Sequence, residues 1–277
     1  MSIHRHMKHP TPFNIYVFTL ISLSLVTGLI WSPTTAYAAS RILYVDRDNA
    51  CPGTGGTSDP YCNISRAFAA ATAGDTIRIR DAATPYDEQA KVTSSAKSGT
   101  AADPIIVEPD TGHNPIIRYT GNGAYGAAIW LGDVDYWTIR NLTFDGTGIQ
   151  TSRFALTIQA DTRDVTGNSI IGNTFRNWGG TESNTGNNGT VNVDNTIRGS
   201  NDHETPQQQF GAQNTVIKGN TFVGNRGTAI ALTRTRDTRV ENNDISGQKC
   251  TSRIGMSQID EVGIAIGGRF PMPANPD

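Results

Sequence analysis

One polar segment of this 277-residue chain concentrates the side chains that are best suited to chemistry. Residues 195–213 contain His203 between two acids, and a third acid, Asp194, directly precedes the segment. Carboxylate oxygens are the hard ligands that Ca²⁺ prefers, so Asp194, Asp202 and Glu204 are candidate calcium ligands. His203 is a candidate general acid or base, because imidazole titrates near neutral pH. The alternative for all four residues is a solvated polar loop, which is the commoner setting of such side chains.

The N-terminus has the layout of an export signal. A positively charged start without acids is followed by an apolar run at residues 15–31 and by a small-x-small triplet that ends at Ala38. This order predicts a secretory signal peptide over residues 1–38 and a mature domain over residues 39–277. The alternative is an uncleaved membrane anchor, but the run is shorter than the about 20 residues that spanning requires. We therefore expect a protein that is secreted or extracytoplasmic, at the cell surface or in the periplasm, without a membrane contact after cleavage.

Charge and composition argue against two classes of protein. Two of the 23 basic residues, Arg5 and Lys8, lie in the predicted signal, which leaves 21 basic residues against 25 acids. An acidic excess is unlike a nucleic-acid binder, which normally carries a basic face. Only 17% of the residues are charged, and glycine is abundant at 29, so a disordered polyelectrolyte is also disfavoured.

Export would place the three cysteines in an oxidising compartment. Cys51 and Cys62 flank a loop rich in Gly, Pro and Thr, and we expect them to form a disulfide. Closing this loop stabilises the fold by about 3 kcal/mol in the chain-entropy model. Cys250 is left over, either as a structural or idle thiol or as the pair of a cysteine outside this chain.

The body of the chain is a repeat in which four segments of eight residues align without gaps. The last residue of each segment and the residue five positions earlier are apolar and favour β-strands. Three positions before the end only Gly or Asn occurs, and both tolerate the left-handed αL conformation of a sharp bend. Leu or Asn follows the bend, which predicts an asparagine ladder. The four segments are 137–144, 168–175, 215–222 and 238–245.

A second motif of alternating apolar residues precedes each segment and predicts a strand with one inward face. An immunoglobulin-like sandwich would also have many short strands, but it would not repeat the bend residue at one offset. A parallel β-helix explains both patterns, because like residues then stack about 4.8 Å apart in successive coils. These strands are expected at 128–131, 155–158, 190–193, 229–232 and 263–266.

The two ends of the coil are predicted to differ. A first strand at 41–45 precedes a short helix at 65–73, with Asn63 as N-cap and Gly74 as C-terminal stop. This helix would cover the first coil, as a solenoid requires. No C-terminal cap is evident after residue 263, so we expect either a truncated chain or another surface over the open end. Further strands are expected at 76–79, 104–107 and 115–118.

These features resemble a known superfamily. Tyr44-Val45, the cysteine loop, residues 64–71, residues 73–77 and the repeated Ile-x-Gly-Asn-Thr-Phe coils are similar to secreted right-handed parallel β-helix proteins of the pectate-lyase-like superfamily. The resemblance covers essentially the whole mature chain. It implies an all-β, single-stranded right-handed parallel β-helix with a short N-terminal capping helix. Many such proteins are polysaccharide lyases, others are glycoside hydrolases, and many have no demonstrated activity.

The resemblance also implies that glycans bind along the first strand of each coil. Trp130 and Asn192 occupy outward positions of such strands, and a polar loop brings Trp178 to the same edge. We expect these three residues to contact substrate, with the two tryptophans stacking on sugar rings. Trp130 is the stronger candidate, because nothing local explains burying it.

A lyase acting on uronic-acid polymers needs a cation to acidify the proton beside the carboxylate, and a base to take that proton. The base is usually Lys or Arg in proteins of this kind, so Arg234 and Arg236 are candidates. The alternative for both is a surface ion pair with Asp237 or Glu241.

Signature motifs of known β-helix lyases and polygalacturonases are missing from the sequence, and the second absence disfavours a two-carboxylate hydrolase. We expect a secreted carbohydrate-active protein, with β-elimination of an acidic polysaccharide as the first hypothesis and Ca²⁺ as its cofactor. The alternative is a non-catalytic glycan-binding or cell-surface structural β-helix.

Overall fold

A computed structural model describes residues 40–121, 126–148, 154–178, 189–195, 210–225, 228–247 and 264–267. The chain divides into two units, 1–37 and 38–277, and every described residue belongs to the second. The described residues wind as a right-handed parallel β-helix, which confirms the fold predicted from the repeat. None of the helices among the described residues combines the length and hydropathy that a bilayer crossing requires.

Sheet 1 has seven parallel strands and carries one side of the hydrophobic core. Leu43, Ile77 and Ile139 point inward and are buried, in the alternation that one inward face requires. The strands predicted at 41–45, 76–79 and 104–107 are all present here. Sheet 1 consists of Ile42–Val45, Thr76–Ile79, Ile105–Pro109, Trp137–Arg140, Ser169–Ile171, Val216–Lys218 and Arg239–Glu241.

Sheet 2 has six parallel strands and contains all five strands of the second sequence motif. Each is present near its predicted bounds, and a sixth strand, which was not predicted, begins the sheet at Ala90. Sheet 2 consists of Ala90–Val92, Ala127–Gly132, Phe154–Ala160, Gly189–Asn195, Thr228–Thr233 and Ile264–Gly267.

Two further sheets complete the coil. Sheet 3 holds the strands after the αL bend and consists of Tyr86–Asp87, Ile116–Arg118, Thr143–Asp145, Thr174–Arg176, Thr221–Val223 and Asp244–Ser246. Sheet 4 lies at the corner between sheets 2 and 1 and consists of Val165–Thr166, Ala212–Gln213 and Thr235–Arg236.

The predicted bend has the expected backbone conformation in all four segments. Asn141, Gly172, Gly219 and Asn242 have φ angles of 57°, 65°, 64° and 54°. This left-handed region is accessible to Gly at no steric cost and to Asn at a small one, which explains why only these residues occur there. The bend turns the chain from sheet 1 into sheet 3 within two residues.

The predicted asparagine ladder is present beside the bend. The backbone N–H of Leu142 donates to Asn173 Oδ1 at 3.0 Å, and the N–H of Asn173 donates to Asn220 Oδ1 at 2.9 Å. The N–H of Asn220 donates in turn to Asn243 Oδ1 at 2.9 Å. Each amide group therefore satisfies a buried backbone donor of the preceding coil, which an apolar side chain could not do.

A file of phenyl rings lies in the core on the other side of the bend. Phe144 and Phe175 have ring centroids 4.8 Å apart, and Phe175 and Phe222 are 4.9 Å apart, with interplanar angles of 15° and 14°. All three rings are fully buried, and Ile245 continues the file in the next coil. The coil spacing thus places like side chains in van der Waals contact.

The N-terminal cap is the helix Ile64–Ala70. Its Phe68 packs against Trp137, with the two ring centroids 4.9 Å apart. Asn63 is its N-cap, as predicted, because the Asn63 side chain accepts from the backbone N–H of Arg66. The helix ends earlier than the predicted residue 73. The reason is that the carboxylate of Asp75 accepts the backbone N–H of Thr72 at 2.8 Å and draws the chain into a turn.

The predicted disulfide between Cys51 and Cys62 is present. It closes a loop that covers the exposed edge of sheet 1. Tyr44 donates its backbone N–H to the carbonyl of Gly55 at 2.9 Å and accepts from the N–H of Tyr61 at 2.9 Å. The loop therefore protects an edge strand that would otherwise be open to pairing with another chain.

Candidate functional site

The outward charges of sheets 1 and 3 neutralise one another. On sheet 1, Arg140 pairs with Glu108 at 2.6 Å, and Lys218 lies 3.8 Å from Glu241. On sheet 3, Arg176 pairs with Asp145 at 2.9 Å. Cations whose carboxylate partners are part of the same face are poorly placed to attract a charged ligand.

The pKa values of the carboxyl groups agree with this pairing. Burial raises the pKa of Asp145, but hydrogen bonds from Thr147 and Arg176 outweigh burial and hold the pKa below its ordinary value. Burial likewise raises the pKa of Asp110, but hydrogen bonds from Arg80 and from the backbone of Thr111, together with the charge of Arg80, hold the pKa below its ordinary value. These acids are therefore ionised partners in ladders of ion pairs.

The outward positions of sheet 2 are chemically different. In strand Ala90–Val92 the flanking residues are buried, so Lys91 points outward, and Trp130 does the same between the buried Ile129 and Leu131. The strand register places Lys91 beside Trp130 in the next coil. No acid occurs in the outward column, which runs through Lys91, Trp130, Thr157, Asn192, Ala231 and Ala265.

Among the column residues whose exposure the structure describes, the open ones lie at the N-terminal end. Lys91 is exposed and Trp130 is partly exposed, whereas Thr157 and Ala231 are only 3% and 8% exposed. Of the glycan contacts predicted along the column, the one at Asn192 stays a prediction, whereas Thr157 and Ala231 are too buried to contribute. The accessible residues among those described are Lys91 and Trp130, which form what we call the Lys91–Trp130 pair.

The Lys91–Trp130 pair is a cation–π contact in which the Lys91 ammonium lies 4.2 Å from the centroid of the indole ring. The indole edge packs against Gly132, where an added Cβ would lie 3.2 Å from Trp130 Nε1 and 3.0 Å from Thr93 Cγ2. The indole N–H is buried and donates to no group of the described residues. Gly132 thus provides the space in which the tryptophan lies along its own strand.

Trp178 was predicted to contact sugar, and this interpretation is wrong. Its side chain is 0% exposed, and its backbone N–H donates to Asn225 Oδ1 at 2.8 Å. The preceding Asn177 has a φ angle of 54°, and this turn directs Trp178 into the core. A fully buried ring cannot stack on a ligand at the surface.

Arg236, a candidate base, is engaged in an ion pair. Its guanidinium donates to Asp164 Oδ2 at 2.8 Å, rather than pairing with the expected Asp237 or Glu241. Arg234 occupies the αL corner after sheet 2 with a φ angle of 52°. Its role as a base stays a prediction.

The predicted calcium ligands are not tested by the described residues. His203, Asp202 and Glu204 lie outside the described ranges, and Asp194 and Asn192 are described only as backbone of the strand Gly189–Asn195. Among the residues that can be assessed, no group of three or more His, Cys, Asp or Glu side chains could hold a metal ion. A calcium site at the long insertion therefore stays a prediction.

Lys91 was not predicted as a site residue, because it lies before the first recognisable repeat. The alternation Ala-Lys-Val indicates a strand in which Lys91 points outward, but three residues are too few to distinguish a strand from a loop. Only the register with the next coil shows that Lys91 continues the outward column of Trp130.

The comparisons with known proteins identify the class and then the family. The fold is that of the right-handed parallel β-helix proteins of the pectate-lyase-like superfamily. Residues 91–263 match the family model described as periplasmic copper-binding protein (NosD), and the chain belongs to this family. No curated protein sequence matches the chain. The periplasmic description of the family and the disulfide are both consistent with a location outside the cytoplasm.

Solved structures with a similar fold include three carbohydrate-active enzymes. The GH136 lacto-N-biosidase from Eubacterium ramulus has a TM-score of 0.58 at 13% identity, over 73% of this chain and 41% of that one. An alginate lyase from Paenibacillus has a TM-score of 0.50 at 18% identity, over 83% and 74%. A rhamnogalacturonan lyase has a TM-score of 0.50 at 15% identity, over 83% and 62%. This chain thus spans about two fifths of the lacto-N-biosidase, and at these identities the likeness shows the fold alone.

The family description raises the question of copper, which prefers His, Cys and Met side chains as ligands. The described ranges contain no methionine, and their two cysteines form the disulfide. Their single histidine, His113, contacts the carboxylate of Asp81 through Nδ1. The donor set of the described residues therefore does not fit a copper site.

Proposed function

We propose that this protein binds polysaccharide on the outward face of sheet 2, with Trp130 as the central contact. The observation that carries the proposal is a partly exposed tryptophan at an outward position of a buried parallel sheet, beside a cation and without a carboxylate in its column. An indole ring offers a large rigid surface with little side-chain entropy to lose, which suits the flat C–H face of a sugar ring. The fold itself is shared with an alginate lyase, a rhamnogalacturonan lyase and a lacto-N-biosidase.

The described geometry favours binding over catalysis. A general base must reach the proton that it abstracts, and Arg236 instead donates to Asp164 at the corner beyond sheet 2. The part of the column described as open lies in the first two strands of the sheet, whereas Arg236 lies three coils beyond Trp130. A glycan-binding β-helix is therefore the function that the geometry supports best.

The contribution of Trp130 can be measured directly. We expect Trp130→Ala to weaken polysaccharide binding by at least about tenfold, because truncating a central aromatic contact typically costs more than 1.4 kcal/mol. The measurement is affinity electrophoresis or titration calorimetry against a panel of acidic and neutral polysaccharides. Val223→Ala is the matched control, because Val223 is an exposed apolar residue on sheet 3 at 39% exposure. Equal affinity of Trp130→Ala and the unsubstituted protein for every polymer that the latter binds would refute the proposal.

The lyase hypothesis remains a separate proposal, supported by the fold that the chain shares with an alginate lyase and a rhamnogalacturonan lyase. In it, Asp194, Asp202 and Glu204 would hold Ca²⁺, which would supply the charge that acidifies the proton beside a uronate carboxylate, and Arg234 would accept that proton. We then expect ultraviolet absorbance from unsaturated chain ends on incubation with polygalacturonate or alginate, and its loss on adding a calcium chelator. No absorbance change on either polymer would reject lyase activity on both and leave the binding proposal intact.

A further inference from the structure

Lys91 differs from the other cations that point outward from the strands. The arginines and the lysine of sheets 1 and 3 described above each have a carboxylate within ion-pair distance. Among the described residues, no carboxylate lies within 4.0 Å of the Lys91 ammonium. Within the described part of the chain, its positive charge therefore has no acidic partner, and it lies at the exposed N-terminal end of the sheet 2 column, where a ligand anion can reach it.

The position of Lys91 also limits access to the indole of Trp130. The ammonium lies over the ring, 4.2 Å from its centroid. On the other side of Trp130 in the column is Thr157, which is buried. The side toward Lys91 is the edge of sheet 2, since Ala90–Val92 is its terminal strand. A sugar that stacks on Trp130 from this edge must meet the ammonium first.

We propose that Lys91 is a specificity-determining residue that selects anionic over neutral polysaccharides. A ligand carboxylate draws the ammonium off the indole by a charge-assisted hydrogen bond, and the sugar ring then takes its place on Trp130. A neutral sugar has to displace the same ammonium without that compensation. This inference rests on the proposed function, because it assumes that the Lys91–Trp130 pair is the binding surface.

Replacing Lys91 should therefore change the affinity for neutral polysaccharide and the affinity for anionic polysaccharide in opposite directions. Lys91→Ala frees the ring, and we expect neutral polymer to bind about two- to fivefold more tightly, the equivalent of one cation–π contact. Anionic polymer loses a charge-assisted contact, and we expect it to bind at least about fivefold more weakly. Lys91→Arg keeps the cation over the ring and should retain the preference for the anionic polymer.

The test uses polymers that differ only in charge. Polygalacturonate and alginate are each compared with their carboxyl-reduced forms, by titration calorimetry on the full chain at one ionic strength. Lys218→Ala, on sheet 1, removes an exposed lysine at 50% side-chain exposure and serves as the control. Thermal unfolding of each variant verifies that the fold is retained.

The inference is supported if Lys91→Ala changes the affinities for the native and the carboxyl-reduced form of one polymer in opposite directions and Lys218→Ala does not. Equal changes in the two affinities, or no change, overturn the inference. The proposed function still stands in that case, provided that Trp130→Ala loses binding. If the unsubstituted protein binds none of the four polymers, the inference is overturned. If Trp130→Ala binds them as well as the unsubstituted protein does, the proposed function fails and the inference with it.

Discussion

Replacing Phe175 with alanine is expected to lower the free energy of unfolding by about 3–5 kcal/mol. Phe175 is the middle ring of the phenyl file, in contact with Phe144 at 4.8 Å and with Phe222 at 4.9 Å. Its removal therefore creates a cavity between two rings whose spacing is held by the hydrogen bonds of the strands. Because adjacent coils cannot move together without breaking those hydrogen bonds, the cavity cannot collapse.

The measurement is equilibrium unfolding in urea, with Val223→Ala as the control. Val223 follows Phe222 in the same strand but is 39% exposed, so its truncation should change the free energy by no more than about 0.5 kcal/mol. Ile245→Ala, at the partly buried end of the same file, should give an intermediate loss. A loss for Phe175→Ala no larger than that for Ile245→Ala would contradict the stacking argument.

Replacing Asn173 with alanine is expected to cost about 2–4 kcal/mol, although it removes only one small side chain. The Asn173 amide accepts the backbone N–H of Leu142 at 3.0 Å and donates to the carbonyl of Ile139 at 2.9 Å. The N–H of Leu142 would be left buried without a partner, and the carbonyl of Ile139 would lose one hydrogen bond; an unsatisfied buried group alone costs about 1–3 kcal/mol. The same urea titration measures the loss.

Asn243 provides a matched comparison within the same ladder. It accepts from the backbone N–H of Asn220 and donates to the carbonyl of Ile217 in the same manner, but it is only partly buried. Water can replace these bonds, so Asn243→Ala should cost about 1 kcal/mol. Equal losses of unfolding free energy for Asn173→Ala and Asn243→Ala would show that the burial of the unpaired backbone groups does not determine the cost of the substitution.

The two kinds of face on this coil explain how a repetitive scaffold can carry a local site. Inward positions are constrained by the files of like residues, but outward positions are free to differ from sheet to sheet. Sheets 1 and 3 use them for mutually paired charges, as between Arg140 and Glu108. At one end of its column, sheet 2 presents an aromatic ring and a cation that has no carboxylate partner among the described residues. This contrast is why we propose the binding surface on sheet 2.

The coil and its internal order could be read from the residues alone. The αL bend at Gly172, the ladder position at Asn173 and the file position at Phe175 lie within four residues of each other, and each admits few residue types for a local physical reason. The backbone conformation favours Gly or Asn at the bend, the buried donor favours Asn in the ladder, and the core favours an apolar residue in the file. The pairing of Cys51 with Cys62 could also be predicted from the sequence, because only a short loop separates the two cysteines.

The contacts and the exposure of the surface side chains depend on residues that lie far apart in the chain. Lys91 meets Trp130 across 39 positions, and Arg236 meets Asp164 across 72, through strand register and loop paths that no local pattern encodes. Burial has the same origin: Trp178 and Thr157 are buried in the assembled coil, whereas Trp130 remains partly open near the end of its column. Which side chains a ligand can reach is a property of the assembled coil, since it depends on what the rest of the chain leaves uncovered.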